Sequence, residues 1–278
     1  MRTILHIATA TVLVLAQSIN MATAQQDPDN LGGIISRYGS NSASSLQSVT
    51  TDPDSHPLLR NYSTVSDEVL QNPPAADWLI WRRTYDNMGY SPLAAINLQT
   101  VADLELAWRQ AVTPSNNMPT PLVHDGVMFL YSAGDVVLAM DATNGELLWR
   151  YRHDGGAITS HKFGISLHED KVLVPTSDLH MVALDARSGG VIWDHAIDTG
   201  ENTGYALRSA PLTAGGQVIQ GVAASRVPGG GFIIAVDLET GEESWRFNTL
   251  ARPGEPGGNT WNNIPLEERR GGSVWNTG

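Results

Sequence analysis

From residue 118 to about residue 249 the chain is written in short apolar runs broken by turn residues. The stretch "TPLVHDGVMFLYSAGDVVLAMDATNGELLWRYR" divides into four such runs. Runs of this length, bounded by Asp-Gly, Ala-Gly-Asp and Asn-Gly, predict short antiparallel strands joined by tight turns. Asp125-Gly126 predicts a two-residue hairpin, because a type I′ turn needs positive φ at both central positions. The same alternation returns in "ISLHEDKVLVPTSDLHMVALDARSGGVIWDHAI" and in "APLTAGGQVIQGVAASRVPGGGFIIAVDLETGEESWRFNT". From Gln25 to about Asn72 the pattern is different: polar, Ser-rich and weakly periodic. It predicts a leader or partly disordered arm, with "VSDEVLQN" as a turn or two of helix capped by Ser66.

The apolar runs repeat in register. "AMDATNGELLW", "ALDARSGGVIW" and "AVDLETGEESW" place Asp141, Asp185 and Asp237 at spacings of 44 and 52 residues. A glycine follows each four residues later (Gly145, Gly189, Gly241) and a tryptophan eight residues later (Trp149, Trp193, Trp245). Four strands per unit at this period predict blades of a β-propeller, an all-β fold of four-stranded antiparallel sheets. The Asp is expected to accept hydrogen bonds inside its turn, the Gly to take the left-handed position, and the Trp to anchor against a neighbouring unit. Trp108, in "DWLIWRRTYDNMGYSPLAAINLQTVADLELAWRQAV", has a strand-like setting without that turn and reads as part of a divergent, ring-closing blade.

Composition narrows the partners. With 29 acidic against 17 basic residues the net charge is −12, so nucleic acid and anionic membrane surfaces are not expected to bind. Residues 1–24 combine Arg2, a mostly apolar run from Ile4 to Ala16 and a small-residue site at Ala22-Thr23-Ala24. This is a signal peptide cleaved near Ala24, with a run too short to span a bilayer, and it predicts a periplasmic or secreted product. Cysteine is absent, which excludes disulfides and haem attachment through C-x-x-C-H, so any electron acceptor would be a separate protein. The expected organisation is a signal peptide (1–24), a polar arm (25–72) and propeller blades (73–278). No H-E-x-x-H, G-x-S-x-G or G-x-G-x-x-G occurs, and His161 and His168 are expected in surface or turn positions.

These repeats, together with "DWLIWRRTYDNMGYSPLAAIN" and "RPGEPGGNTW…GGSVWNTG", resemble the quinoprotein alcohol dehydrogenases, which use pyrroloquinoline quinone (PQQ). The resemblance covers roughly Asp77 to Gly278. It implies an eight-bladed propeller with PQQ on its axis, a calcium or lanthanide ion polarising the quinone, and an Asp acting as base. It also implies a small alcohol as substrate and a cytochrome c or quinone as acceptor. At about 50 residues per blade this chain carries about four blades, and it resembles the N-terminal half of such an enzyme.

Carried over residue by residue, the resemblance implies three cofactor contacts. Trp275 matches the tryptophan lying flat under the quinone, Ser273 a hydroxyl contact, and Thr176 a threonine at a strand end. Other positions depart from the family. Its paired cysteines are missing, Phe163 stands at the position of an expected Arg with Lys162 beside it, and Met118 stands at an expected acid. Arg226 falls at or near an expected metal-ligating Glu, and a cation there opposes calcium binding. The resemblance implies that the family's Asn ligand and catalytic Asp lie beyond Gly278, so no catalytic base is named and no metal ligand is assigned. These departures favour an alternative reading as a non-catalytic propeller that binds protein partners through its loops.

Overall fold

The computed structural model describes residues 47–113, 115, 118–157, 163–200 and 204–277. The signal peptide, the first part of the arm, His161 and Lys162 lie outside the described residues.

The three predicted repeats form three separate sheets of one design. The first holds β1 (Leu122–His124), β2 (Val127–Ser132), β3 (Val136–Asp141) and β4 (Leu147–Arg152) in that order. The second holds β5 (Ser166–His168), β6 (Lys171–Pro175), β7 (His180–Asp185) and β8 (Val191–Ala196). In the third, β9 (Ala206–Leu207) pairs with β11 (Gln217–Ala223), beside β10 (Leu212–Ala214), β12 (Phe232–Asp237) and β13 (Glu243–Asn248). All pairings are antiparallel, and each sheet carries a register shift at the same place, after Ala139, Ala183 and Ala235. Asp125 and Gly126 both take positive φ, 48° and 79°, as the hairpin signal requires.

Between blades, one contact is repeated. Trp108, Trp149 and Trp193 donate their indole N–H to the carbonyls of Ala142, Ala186 and Leu238 at 3.1, 2.9 and 3.0 Å. Each indole lies against the turn glycine of the following unit, Gly145, Gly189 and Gly241 respectively. The Asp of each turn accepts backbone N–H groups two or three residues ahead, so the turn presents the same surface every time. Trp245 breaks the series: it is 40% exposed and its N–H goes to Gln217 Oε1. Trp108 makes the docking contact, but among the described residues its segment, 79–121, forms no strand.

Over residues 47–72 the arm packs against the sheets. Val49 exchanges backbone hydrogen bonds with Arg150, extending the first sheet beyond β4. Thr51 N–H reaches Ser188 O, and Arg187 Nε reaches Leu59 O. Two short helices follow, α1 (Pro57–Arg60) and α2 (Asp67–Gln71), the second capped by Ser66 as expected. Leu59, Val65 and Leu70 are fully buried in the core that joins blades one and two. A few apolar residues, each landing on a blade junction, supply burial that the polar average of the segment conceals.

Two histidines at equivalent blade positions receive this arm. His124 ends β1, and its Nδ1 lies 2.7 Å from Asp77 Oδ2. Its Nε2 lies 3.1 Å from Ser63 O and 3.5 Å from Asp125 Oδ2. His168 ends β5; it is 2% exposed, against the expectation of a surface or turn position, and faces Asp67 at 3.2 Å. Burial alone would lower the His124 pKa, but the hydrogen bond to Asp77 and the charges of Asp125 and Asp77 overcome it and raise the value. Burial would likewise raise Asp125, yet the Ser63 hydrogen bonds hold it below the ordinary carboxylate range.

These shifts define a pH window. The raised histidine stabilises the fold fully below about pH 6.5 and loses that contribution as pH climbs through its folded value. The lowered carboxylate contributes above its ordinary range and fails as pH falls through its folded value. Urea unfolding is therefore expected to give greater stability between about pH 4.5 and 6.5 than at alkaline pH. His124→Gln should flatten the alkaline arm of that profile. An unchanged slope in the variant would show that His124 does not carry it.

Candidate functional site

Residues 269–277 are pinned along the third blade. Gly229 N–H bonds Arg269 O, and Gly231 N–H bonds Gly271 O. Thr249 Oγ1 donates to Gly272 O at 2.6 Å, and Thr277 Oγ1 to Ala210 O at 3.1 Å. Val274 sits so close that a Cβ on Gly221 would lie 2.4 Å from its Cγ1. This anchoring sets Trp275 and Ser273 in fixed positions. Ser273 Oγ accepts the Ala224 N–H at 3.1 Å, which leaves its own hydroxyl proton free to be donated.

Trp275 keeps 50% of its surface exposed, an unfavourable state for an indole unless something flat covers it. Its ring centroid lies 5.8 Å from that of Phe163, which stands 6.5 Å from Trp81 in an edge-to-face arrangement. The Arg82 guanidinium covers Trp81 at 4.7 Å. Three rings from three distant stretches thus converge, with a cation at one end. Sequence reasoning points to Trp275 and to position 163 but misses Trp81 and Arg82. Their signal is the run "WLIWRR", which local pattern alone does not tie to residue 275.

Thr176 is held elsewhere. It is fully buried in the turn from β6 to β7, donating to Asp178 Oδ1 at 2.5 Å and accepting from His180 N–H at 2.9 Å. Met118 and Arg226 are exposed, and neither offers an anionic oxygen. Among the described residues, Asp77, His124 and Asp125 bring ligand-type atoms within 4.8 Å of one another. The imidazole stands between the two carboxylates, however, with each nitrogen turned to its own acceptor. That is a hydrogen-bonded ion pair, not a cage that one cation can enter.

Comparison with known proteins bears on this arrangement. The family described as the glucose/ethanol/alcohol dehydrogenase, β-propeller domain (PQQ) matches residues 78–277. The dehydrogenase subunit of a quinone-linked alcohol dehydrogenase from Gluconacetobacter polyoxogenes is 33% identical over 228 residues, covering 72% of this chain and 31% of the relative. The solved quinohemoprotein alcohol dehydrogenase ADHIIG of Pseudomonas putida HK5 superposes with a TM-score of 0.62 at 30% identity. That superposition covers 70% of this chain and 30% of the other. A europium-containing methanol dehydrogenase superposes with a TM-score of 0.59 at 25% identity, over 68% of this chain and 35% of that one. The chain spans about 30% of the length of the curated relatives it matches. No helix among the described residues is long and apolar enough to cross a membrane. Matched by that family over residues 78–277 and, over 72% of its own length, 33% identical to a relative, the chain belongs to the PQQ-dependent alcohol dehydrogenase β-propeller family.

Proposed function

We propose that this chain supplies one wall of a PQQ site in a periplasmic quinoprotein alcohol dehydrogenase, exported by residues 1–24. The single observation that carries the reading is the half-exposed Trp275 indole, set beside Phe163 in a segment whose neighbours are bonded to the third blade. PQQ, when bound, supplies the electron sink for oxidising an alcohol to a carbonyl compound. Trp275 would stack against one face of the quinone, and Ser273 would donate its free hydroxyl proton to a cofactor oxygen. Phe163 and Trp81 would exclude water from the edge of the stack, and Arg82 would lend positive charge to an anionic cofactor. Thr176 fits the reading less well, because Asp178 and His180 already engage its hydroxyl.

The residues fit the organic cofactor and do not fit its metal. Arg226 places a cation near the position where a carboxylate ligand is expected, and hard ions take oxygen ligands. Calcium and lanthanides therefore have no part in the chemistry proposed for this chain, and none of its residues is assigned as base for the alcohol proton. Alcohol oxidation, with electrons passed to a cytochrome c or a quinone, would belong to the whole enzyme of which the relatives are examples.

Titrating the chain with PQQ by calorimetry tests the reading. Trp275→Ala is expected to weaken binding about tenfold or more, the equivalent of at least about 1.4 kcal/mol of lost stacking. Ser273→Ala should weaken it by less. Absence of binding to the unaltered protein would overturn the proposal. The partner-binding propeller would then be the better reading, which the missing acidic residues at Met118 and Arg226 already favour.

A further inference from the structure

We propose, building on the PQQ platform at Trp275, that Arg83 and Tyr85 are positioning residues that hold the Arg82 guanidinium ready for a carboxylate of that cofactor.

Residues 78–85 run from the first blade to the third, past the entry to the second. Trp78 is fastened at one side, exchanging backbone hydrogen bonds with Val123 of β1. Tyr85 is fastened at the other, its hydroxyl donating to Thr213 O of β10 at 2.8 Å. Between those two anchors, Trp81 meets the ring of Phe163, which precedes β5, edge to face. Phe163 is itself tied to both flanking blades. Its carbonyl accepts the Thr120 N–H at 3.4 Å, and its own N–H donates to Arg208 O at 2.8 Å. The aromatic row therefore rests on a span secured at both ends.

Two consecutive arginines in that span are sent in opposite directions. Arg83 takes φ +72°, a left-handed conformation that residues with a Cβ adopt only where the surroundings impose it. Its N–H bonds Ile80 O at 3.0 Å, and its buried side chain donates through Nη2 to Pro73 O and Pro74 O at 3.2 and 3.1 Å. Arg82 is left on the outside, exposed, with its guanidinium 4.7 Å from the Trp81 ring centroid. Its Nη1 donates to Asn87 O at 3.3 Å. Asp86, the acid nearest in sequence, is turned to Thr84 Oγ1 and the Met88 N–H, and among the described residues no carboxylate forms an ion pair with Arg82. A guanidinium stacked on a ring keeps in-plane N–H groups available, which suits recognition of a carboxylate.

The test is PQQ titration of the full chain by calorimetry at several salt concentrations. Arg82→Gln is expected to weaken binding about threefold or more and to flatten its salt dependence, as loss of an exposed ion pair does. Tyr85→Phe deletes one hydroxyl and keeps the ring, and it should reproduce both effects in part. In an Arg82→Gln background the same change should do nothing further, because no charge is left to aim. Arg83→Gly keeps the left-handed backbone and deletes the buried anchor; it should behave as Tyr85→Phe does, with circular dichroism unchanged. A Tyr85→Phe chain with unaltered affinity and salt dependence overturns the positioning role and leaves the platform at Trp275 standing. Additive losses in the double variant overturn it too. No binding of PQQ to the unaltered chain overturns platform and positioning role together.

Discussion

Trp149→Ala is expected to destabilise the protein by about 3–5 kcal/mol, the range for deleting a large aromatic from a packed core. Trp149 is 0% exposed, packs 5.8 Å from Phe129, and donates to the Ala186 carbonyl of the next blade. Its removal opens a void between two blades and leaves that carbonyl without a partner, adding to the loss. Trp245→Ala is the internal control. Trp245 occupies the same place in its repeat but is 40% exposed and bonds only Gln217, so its loss should cost less than about 1 kcal/mol. Equilibrium urea unfolding of both variants decides the matter. Equal losses at the two positions would mean that blade-to-blade docking is not what makes these indoles stabilising.

The second large effect is expected from the residue facing that indole. Gly189→Ala places a methyl group at φ +74°, in the left-handed region, and 2.7 Å from Cδ2 and Cε3 of Trp149. The ring cannot retreat, because its N–H is tied to Ala186. Backbone strain and overpacking together should cost about 2–5 kcal/mol. The two causes separate in a double-mutant cycle. In a Trp149→Ala background the clash is gone, and Gly189→Ala should then cost only about 1 kcal/mol of backbone strain. A coupling of about 1–3 kcal/mol is the expected signature; strict additivity would reject direct contact as the reason for the glycine.

The repeat is legible in the sequence because the Asp turn, its Gly and the docking Trp all lie within nine residues. A unit encoded that locally repeats visibly. Trp275 and Ser273 are legible for the same reason, both falling within "GGSVW". What local pattern does not reach is anything assembled across blades. Phe163 meets Trp275 only because the chain has run through two whole sheets between them, and Trp81 meets Phe163 only because a segment without strands returns to the sheets. The arm's average polarity hides its order. Leu59, Val65 and Leu70 are scattered in sequence but coincide in space with the seam between two sheets. The burial of His168 is equally hidden, since it depends on Asp67, about a hundred residues earlier in the chain.

The arm's docking also bears on the order in which this protein acquires its structure. Residues 47–72 leave the ribosome before the blades do, yet the groups they bind arrive a hundred residues or more later: Arg150 and Arg152 for Val49 and Ser48, Arg187 for Leu59. Closing loops of that size is slow compared with forming a hairpin of about a dozen residues. During synthesis the blades must therefore zip up one by one while the arm waits undocked, and its clasp over their seam is a late event, made after the surfaces it joins already exist.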